Sequence, residues 1–206
     1  TLAQITRLKK VGCELVRVAV NTNDALKAMP ELCRRSPLPI IADIQFDYQM
    51  AIGAINAGAA GLRLNPGNLR KDWQIKAVVK EALARRIPIR VGVNAGSLEQ
   101  KLIRKYGGPS AEAMVESALW EIGLLRESGF DLIKISLKSS DVLDTVRAYQ
   151  LLAKKVDYPF HLGITESGTR FRGAVLSAMG IGVLLWQGIG DTIRVSLSAP
   201  PEEEVR

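Results

Sequence analysis

The chain has 206 residues, of which 47% are hydrophobic and 24% charged, a balance typical of a globular domain and not of a disordered segment. The formal net charge of +7 predicts an acidic partner, either a nucleic acid or a phosphorylated small molecule. Two cysteines, Cys13 and Cys33, exclude a disulfide framework and argue against a metal site built by this chain alone. This cysteine usage fits a reducing, cytoplasmic location, and Thr1–Lys10 lacks the pattern of a signal peptide.

Short β-rich runs recur along the chain and predict seven strands. They follow a helix over Leu2–Lys10 and comprise Leu15–Val20, Pro39–Phe46, Gly61–Leu64, Ile87–Asn94, Asp131–Lys138, Phe160–Thr165 and Asp191–Leu197. Segments of helical periodicity lie between them, for example Asp72–Arg85 and Ala111–Ser128. This alternation predicts parallel strands joined by right-handed crossovers.

Two architectures are compatible with this order: a doubly wound open sheet and a (β/α)₈ barrel. The opening helix implies one strand upstream of the first run, which would make eight, and a closing helix is expected after the last run. We therefore predict an α/β fold of the TIM (β/α)₈-barrel type, lacking the first strand and the closing helix.

The stretch Gly173–Gly190 contains no charged residue and could be taken for a membrane span. Five glycines and Gln187 interrupt it, and it lies between two strand-like runs. We interpret it as a buried barrel helix with its loops, and we expect no membrane association.

Side chains on the two faces of each predicted strand differ in polarity. In one run Ile89, Val91 and Val93 share a face, while Arg90 and Asn94 share the other. Because barrel helices cover the aliphatic face, the polar face is predicted to line the lumen. The predicted inward set is Arg17, Asp43, Gln45, Arg63, Asn65, Arg90, Asn94, Lys134, Lys138, Arg194 and Ser196.

This inward set carries six bases against Asp43 and, at the end of a later strand, Glu166. Unpaired buried charges are costly, so the excess of bases predicts a small, strongly anionic ligand such as a diphosphate. The alternative is that the bases pair with carboxylates outside the barrel and that aliphatic residues fill the lumen.

Glu166 is the best acid/base candidate, because it follows a strand among bases and hydroxyls, where barrel enzymes carry their chemistry. A structural salt bridge is the alternative for Glu166. His161, the single histidine, lies at the start of its strand and is predicted to be structural.

The same segments closely resemble the 4-hydroxy-3-methylbut-2-enyl diphosphate synthases of the methylerythritol phosphate route to isoprenoids. The resemblance extends over essentially the whole chain, in the order VRVAV, ADIQFDY, LRLNPGN, IRVGVNAGSLE, KYGGP, ESA, KISLKSSDV, HLGITESG and GIGDTIRVSL.

The resemblance implies that residues 1–206 form a partial substrate-binding barrel for 2-C-methyl-D-erythritol 2,4-cyclodiphosphate. It further implies an oxidoreductase whose C-terminal domain, absent from this chain, holds a [4Fe–4S] cluster on three cysteines and a glutamate. Ferredoxin or flavodoxin would deliver the electrons. In the family's homodimer, the cluster domain of one subunit caps the barrel of the other.

The family's functional residues fall on the same positions as the inward set. Its diphosphate-binding bases correspond to Arg17, Arg63, Arg90 and Lys138, its hydroxyl ligand to Ser196 and its acid/base glutamate to Glu166. Its remaining lumen residues, one of them a further catalytic candidate, correspond to Asp43, Asn65, Asn94 and Arg194.

The sequence departs from the family at Gln45, where a histidine is usual and where glutamine cannot move a proton. With no cysteine triad, we expect this chain to bind no cluster and not to turn over by itself.

Other functions are less well supported. A different phosphate-binding barrel synthase would carry its bases mainly after the last two strands. A nucleic-acid-binding module would need clustered bases and aromatic residues, which make up only 5% of the chain. A non-catalytic anion-binding module is a further alternative, and we expect no nucleic-acid partner.

Overall fold

The computed structural model describes residues 1–69 and 71–206, in which helices and strands alternate as the sequence predicts. The helices are α1 (Leu2–Lys10), α2 (Asn23–Arg35), α3 (Tyr48–Asn56), α4 (Asp72–Ala84), α5 (Gln100–Tyr106), α6 (Ala111–Glu127), α7 (Val142–Ala153) and α8 (Arg170–Trp186). The strands are β1 (Val16–Ala19), β2 (Ile40–Asp43), β3 (Gly61–Arg63), β4 (Ile89–Asn94), β5 (Ile133–Lys138), β6 (His161–Leu162) and β7 (Thr192–Ile193). Short 3₁₀ turns occupy Pro66–Asn68, Ala95–Ser97 and Pro201–Glu204.

The chain forms two compact units. The first comprises Thr1–Val91, Glu121–Ile133 and Val205–Arg206, and therefore holds β1, β2, β3 and the start of β4. The second comprises Gly92–Trp120 and Lys134–Glu204 and holds most of β5 together with β6 and β7.

Strands that follow one another in the sequence are neighbours in the sheet, in the order β1-β2-β3-β4-β5. The pairs β1–β2, β2–β3 and β3–β4 are parallel, and β6 and β7 form a second parallel pair. Within the second unit, a parallel bridge between Ile135 and Phe160 joins β5 to the residue before β6. Each connection is thus a crossover through a helix, as predicted.

Side-chain caps begin several of these helices directly after a strand. The Thr22 hydroxyl accepts from the Ala25 N–H after β1, and the Asp47 carboxylate accepts from the Gln49 N–H after β2. Asp141 caps α7 in the same way after β5. Such caps satisfy backbone donors of the first helical turn and so fix the loops at the carboxyl ends of the strands.

The aliphatic faces of the strands are buried, as their alternation predicts. In the first unit the most buried strand residues include Ile40, Ala42, Leu62, Ile89 and Val91, each no more than 2% exposed. In the second unit Ile135, Leu137 and Leu162 are fully buried. Between the buried residues of the first unit, Arg63 and Arg90 are partly accessible, whereas Ser136 and Lys138 of β5 are buried at 3% and 8% exposure.

Most strands are shorter than their β-rich runs. The predicted runs ending at Phe46 and Leu64 extend past the ends of β2 and β3. Ile44 and Leu64, directly after these strands, are still buried, so the alternation of polar and apolar residues continues beyond the strand itself. The difference is largest at β7, where only Thr192–Ile193 of the predicted Asp191–Leu197 is strand. Ile193 is 54% exposed, which agrees with the prediction of a barrel that lacks the closing helix after this strand.

Helix α8 has one buried and one exposed apolar face. Its buried side includes Gly180, Ile181 and Leu184, and a Cβ at Gly180 would lie 2.6 Å from Ile164 Cδ1. The opposite side is defined here as the α8 apolar face and consists of Phe171, Val175, Met179, Val183 and Trp186, each at least 44% exposed. The predicted helix is therefore present and is buried on one side, but the prediction that it is buried was wrong for the α8 apolar face. Within the described residues, no helix combines the length and hydropathy needed to cross a membrane.

Candidate functional site

Three polar residues of the first unit form a row across neighbouring strands. Asp43 of β2 is in register with Arg63 of β3, and Arg63 is in register with Arg90 of β4. Partners in a parallel ladder point to the same side of the sheet, so these three side chains share one face. Arg17 of β1 lies opposite Ile41, two residues before Asp43, and belongs to the same face. We call Arg17, Arg63 and Arg90 the arginine row.

The Asp43 carboxylate lies between two members of the arginine row. Its Oδ2 is 3.3 Å from Arg17 Nε, and its Oδ1 is 3.4 Å from Arg63 Nη1. The side chains of Asp43 and Arg63 are only 15% and 14% exposed, whereas that of Arg17 is 35% exposed. One carboxylate therefore contacts two guanidinium groups on a partly buried face.

Two further predicted residues of the first unit follow the strand ends. Asn65 comes two residues after β3, is 9% exposed and precedes the 3₁₀ turn Pro66–Asn68. Gln45 lies two residues beyond β2 and is exposed, and its backbone carbonyl accepts from Asn68 Nδ2 at 3.1 Å. This contact joins the loops after β2 and β3. Because the contact uses the Gln45 backbone, the role of the Gln45 side chain in substrate binding stays a prediction from the sequence.

Lys138, at the end of β5 in the second unit, is buried, with 8% of its surface accessible. A Cβ placed on Gly163 would lie 2.9 Å from Lys138 Nζ and 2.6 Å from the Arg194 carbonyl oxygen. Because glycine has no side chain, Gly163 leaves room for the Lys138 ammonium group. Lys134, on the same face of β5, is half-buried.

Arg194 and Ser196 lie beyond β7 and are half-buried. Arg194 Nε is 3.6 Å from Glu204 Oε2, and Glu204 Oε1 accepts from the Leu197 N–H at 3.0 Å. Asp43 and Glu166 were the only acids predicted to face the bases. That prediction was incomplete, because Glu204 of the 3₁₀ turn folds back and pairs with Arg194.

Asn94 is the last residue of β4, and Glu166 lies in the loop four residues after β6. Asn94 precedes the turn Ala95–Ser97 and is half-buried, and its carbonyl accepts from the Ser97 hydroxyl. Glu166 is exposed and has a backbone φ of +53°, in the left-handed region that residues other than glycine seldom adopt. Such a conformation stores backbone strain. Strained residues cluster at active sites, so Glu166 is a candidate functional residue.

His161 takes the structural position predicted for it. Its Nδ1 lies 2.9 Å from the Thr192 hydroxyl, within the β6–β7 pair.

Comparison with known proteins decides the family. A family model described as the GcpE TIM-barrel domain matches residues 1–206. The chain belongs to the GcpE family. The resemblance to 4-hydroxy-3-methylbut-2-enyl diphosphate synthases and the predicted TIM-barrel fold class are confirmed.

Curated relatives of this GcpE domain include proteins named 4-hydroxy-3-methylbut-2-en-1-yl diphosphate synthase (flavodoxin). The protein from Geobacter sulfurreducens is 56% identical over 206 residues, and that from Maridesulfovibrio salexigens is 55% identical over 205 residues. Each match covers 100% of the chain but 58% and 57% of the relative. The chain therefore spans little more than half the length of these relatives.

Solved structures similar to the GcpE domain share its fold at low sequence identity. A dihydropteroate synthase from Xanthomonas albilineans gives a TM-score of 0.64 at 15% identity, covering 98% of this chain and 80% of that one. A truncated 3-deoxy-D-arabino-heptulosonate 7-phosphate synthase from Thermotoga maritima also gives 0.64, at 13% identity, covering 93% and 68%. At these identities the likeness shows the fold alone.

The cysteines of this GcpE domain do not fit a cluster held by three thiolates. Cys13 and Cys33 are the only two in the sequence. The Cys13 thiol donates to the Leu15 carbonyl at 3.1 Å, and burial raises the pKa of the Cys33 thiol. No group of three or more His, Cys, Asp and Glu residues in the described part of the chain is arranged to hold a metal ion.

Three residues that position the candidate site were missed from the sequence: Gly163, Glu204 and Tyr149. Gly163 stands in a strand-like run, where an isolated glycine signals close approach of another chain segment. Glu204 belongs to an acidic run after the last strand, which gave no indication of where it folds. Tyr149 looks like an ordinary apolar position of α7, although its hydroxyl bonds to two strands.

Proposed function

We propose that this chain binds the diphosphate group of 2-C-methyl-D-erythritol 2,4-cyclodiphosphate. It would form the substrate-binding domain of an enzyme that makes (E)-4-hydroxy-3-methylbut-2-enyl diphosphate in isoprenoid biosynthesis. The observation that carries the proposal is the arginine row, with three guanidinium groups on one face and one carboxylate between them. Guanidinium groups donate paired hydrogen bonds to phosphate oxygens, and neighbouring cations stabilise a diphosphate in proportion to its charge.

Within the first unit, we assign diphosphate binding to Arg63 and Arg90, with Arg17 as a more exposed third donor. Asp43 contacts two guanidinium groups, an arrangement that suits orientation of the arginines better than proton transfer. Asn65 and Gln45, beyond the strand ends, are candidates for hydrogen bonds to the hydroxyl groups of the substrate.

In the second unit, Lys138, Arg194, Ser196 and Asn94 are proposed as further substrate ligands. Lys138 is supported by its burial and by the space that Gly163 leaves for its ammonium group. Glu166 is the proposed acid or base, because its carboxylate is exposed in the loop after β6 on strained backbone.

Isothermal titration calorimetry with the cyclic diphosphate tests the substrate assignment. Arg63→Gln and Arg90→Gln should each weaken binding by roughly tenfold or more, the loss expected when one charge-assisted contact to phosphate is removed. Arg85→Gln is the matched control. It changes the net charge equally, but Arg85 lies after α4 and bonds to Asn56 Oδ1 at 2.8 Å. Equal affinity of all four proteins would contradict the proposal.

The complete reaction needs parts that residues 1–206 do not supply. We propose that a separate C-terminal domain of the parent enzyme holds a [4Fe–4S] cluster and that flavodoxin or ferredoxin delivers the electrons. The word flavodoxin in the names of the curated relatives supports the first donor. A cytoplasmic location suits the two free cysteines, Cys13 and Cys33. The full-length enzyme should turn over with reduced flavodoxin, whereas its Glu166→Gln variant should bind substrate and turn over at least about a hundredfold more slowly, the lower end of the usual general acid–base contribution.

The α8 apolar face supports a homodimer. Phe171 and Trp186, at its two ends, are 83% and 92% exposed, and the face contains no charged residue. A twofold axis places a surface against its own copy, so a face without charges avoids like-charge contacts. Met179→Glu should convert the parent dimer to monomers in sedimentation analysis, while Leu83→Glu, at an exposed position of α4, should not. A dimer that survives Met179→Glu would exclude this face as the interface.

A further inference from the structure

The segment after β7 carries two candidate ligands, Arg194 and Ser196, outside any strand. The Arg194 N–H donates to the Leu162 carbonyl at 2.9 Å, which is the last backbone contact that continues the β6–β7 pairing. Beyond it, the Ser198 N–H donates to the Gly168 carbonyl at 2.9 Å. The conformation around Ser196 therefore depends on contacts made by its immediate neighbours.

Glu204 supplies the contact next to Ser196. Its Oε1 accepts from the Leu197 N–H at 3.0 Å, and its Oε2 lies 3.6 Å from Arg194 Nε. The side chain of Glu204 is 18% exposed and that of Arg194 is 40% exposed, so Glu204 is the more buried member of this ion pair. One carboxylate thus binds to the residues on either side of the Val195–Ser196 peptide.

The turn that carries Glu204 is itself ordered. Pro201–Glu204 is a 3₁₀ turn, in which the Glu203 N–H donates to the Pro200 carbonyl at 2.9 Å. Two prolines, Pro200 and Pro201, restrict the backbone before it. Glu203 points elsewhere and pairs with Arg170 Nη2 at 2.5 Å. The two adjacent glutamates therefore differ: Glu203 pairs with Arg170, whereas Glu204 contacts Leu197 and Arg194 of the segment that carries the candidate ligands.

We propose that Glu204 is a positioning residue for diphosphate binding, acting by fixing the Leu197 N–H and the Arg194 side chain so that Ser196 is presented to the ligand. This inference rests on the proposed function, because Arg194 and Ser196 are ligands only under that proposal. A charge-assisted hydrogen bond to a backbone N–H is strong enough to hold a segment that the strand ladder no longer orders.

Three substitutions separate the reach of the Glu204 side chain from its charge. Glu204→Asp keeps the charge but withdraws the carboxylate by one methylene, Glu204→Gln keeps an acceptor for the Leu197 N–H without the charge, and Glu204→Ala removes both. Calorimetric titration with the cyclic diphosphate should show affinity about tenfold lower for the Asp and Ala variants and within about threefold of the parent for Gln. Glu203→Ala, which removes the same charge from the same turn, should leave affinity unchanged.

The outcomes distinguish this inference from the proposed function. Parent-like affinity of both the Asp and Ala variants would overturn the role of Glu204 while leaving substrate binding intact. The role of Glu204 would also be overturned if the Gln variant bound as weakly as the Ala variant while the Asp variant bound like the parent. The charge of residue 204 alone would then explain the effect. No binding by the parent chain would overturn both proposals. If the Ala variant does not fold, the Asp and Gln variants decide the question, because each retains part of the native contact.

Discussion

Removing the Tyr149 hydroxyl should destabilise the second unit strongly, although it deletes a single atom. The Ile135 N–H donates to the Pro159 carbonyl at 2.9 Å, so a regular parallel ladder would next join the Leu137 N–H to the His161 carbonyl. Instead, the Tyr149 hydroxyl lies between them. It accepts from the Leu137 N–H at 2.9 Å and donates to the His161 carbonyl at 2.6 Å.

The magnitude follows from the burial of these groups. Tyr149 is fully buried in α7, and its ring packs edge-on against Phe160 with centroids 5.5 Å apart. Tyr149→Phe keeps this ring contact and leaves one backbone donor and one acceptor without the hydroxyl. Each such buried group costs about 1–3 kcal/mol, so we expect a loss of about 2–4 kcal/mol in the free energy of unfolding. For a chain of this size that corresponds to a fall of about 5–15 °C in Tm.

Chemical denaturation with the matched variant Tyr106→Phe is the assay. The Tyr106 hydroxyl donates to Glu116 Oε2 at 2.6 Å on the exposed side of α5, where its loss should leave the free energy of unfolding close to that of the parent. Hydrogen exchange of the Leu137 amide should also accelerate in Tyr149→Phe. Unfolding free energies of Tyr149→Phe and the parent within about 0.5 kcal/mol of each other would refute the reasoning, because both strand groups would then have other partners.

Further variants test local features of the fold. Arg86, after α4, and Gly129, after α6, both have positive φ, at +54° and +77°. Because glycine adopts positive φ without strain, Arg86→Gly should raise the free energy of unfolding and Gly129→Ala should lower it, each by about 1 kcal/mol in urea titrations. Gly173→Ala should lower Tm, because a Cβ there would lie 2.4 Å from a Leu197 methyl carbon. Hydrogen bonds from the Lys105 ammonium and the Tyr106 hydroxyl lower the pKa of Glu116, so its contribution to stability is present at neutral pH and is lost as the pH falls through the folded-state pKa. Melting curves across the acid range should therefore fall less steeply for Glu116→Gln than for the parent.

The fold was largely predictable because polarity alternates strictly along the strands. The alternation of Ile89, Val91 and Val93 with Arg90 is enough to separate the apolar face from the polar face, and the register of β2, β3 and β4 then aligns Asp43, Arg63 and Arg90. That register depends on hydrogen bonding between strands. A single sequence does not encode the register directly. Because consecutive parallel strands each have one polar and one apolar face, however, few registers keep all the polar residues on one side of the sheet.

The remaining errors arose where the relevant partner is distant in sequence or where both faces of an element are apolar. Glu204 reaches Arg194 only because the turn at Pro201–Glu204 folds back, which no local pattern reports. On α8 the buried Leu184 and the exposed Trp186 are both hydrophobic, so periodicity could not identify the exposed face. The strain at Glu166 is likewise a tertiary property, since glutamate has no preference for positive φ.

A crystal structure of the chain with bound 2-C-methyl-D-erythritol 2,4-cyclodiphosphate tests the central claim most directly. We predict phosphate oxygens within about 3 Å of the guanidinium nitrogens of Arg63 and Arg90, the distance of a charge-assisted hydrogen bond. A diphosphate bound away from the arginine row, with no phosphate oxygen near the guanidinium groups of Arg63 and Arg90, would contradict the account.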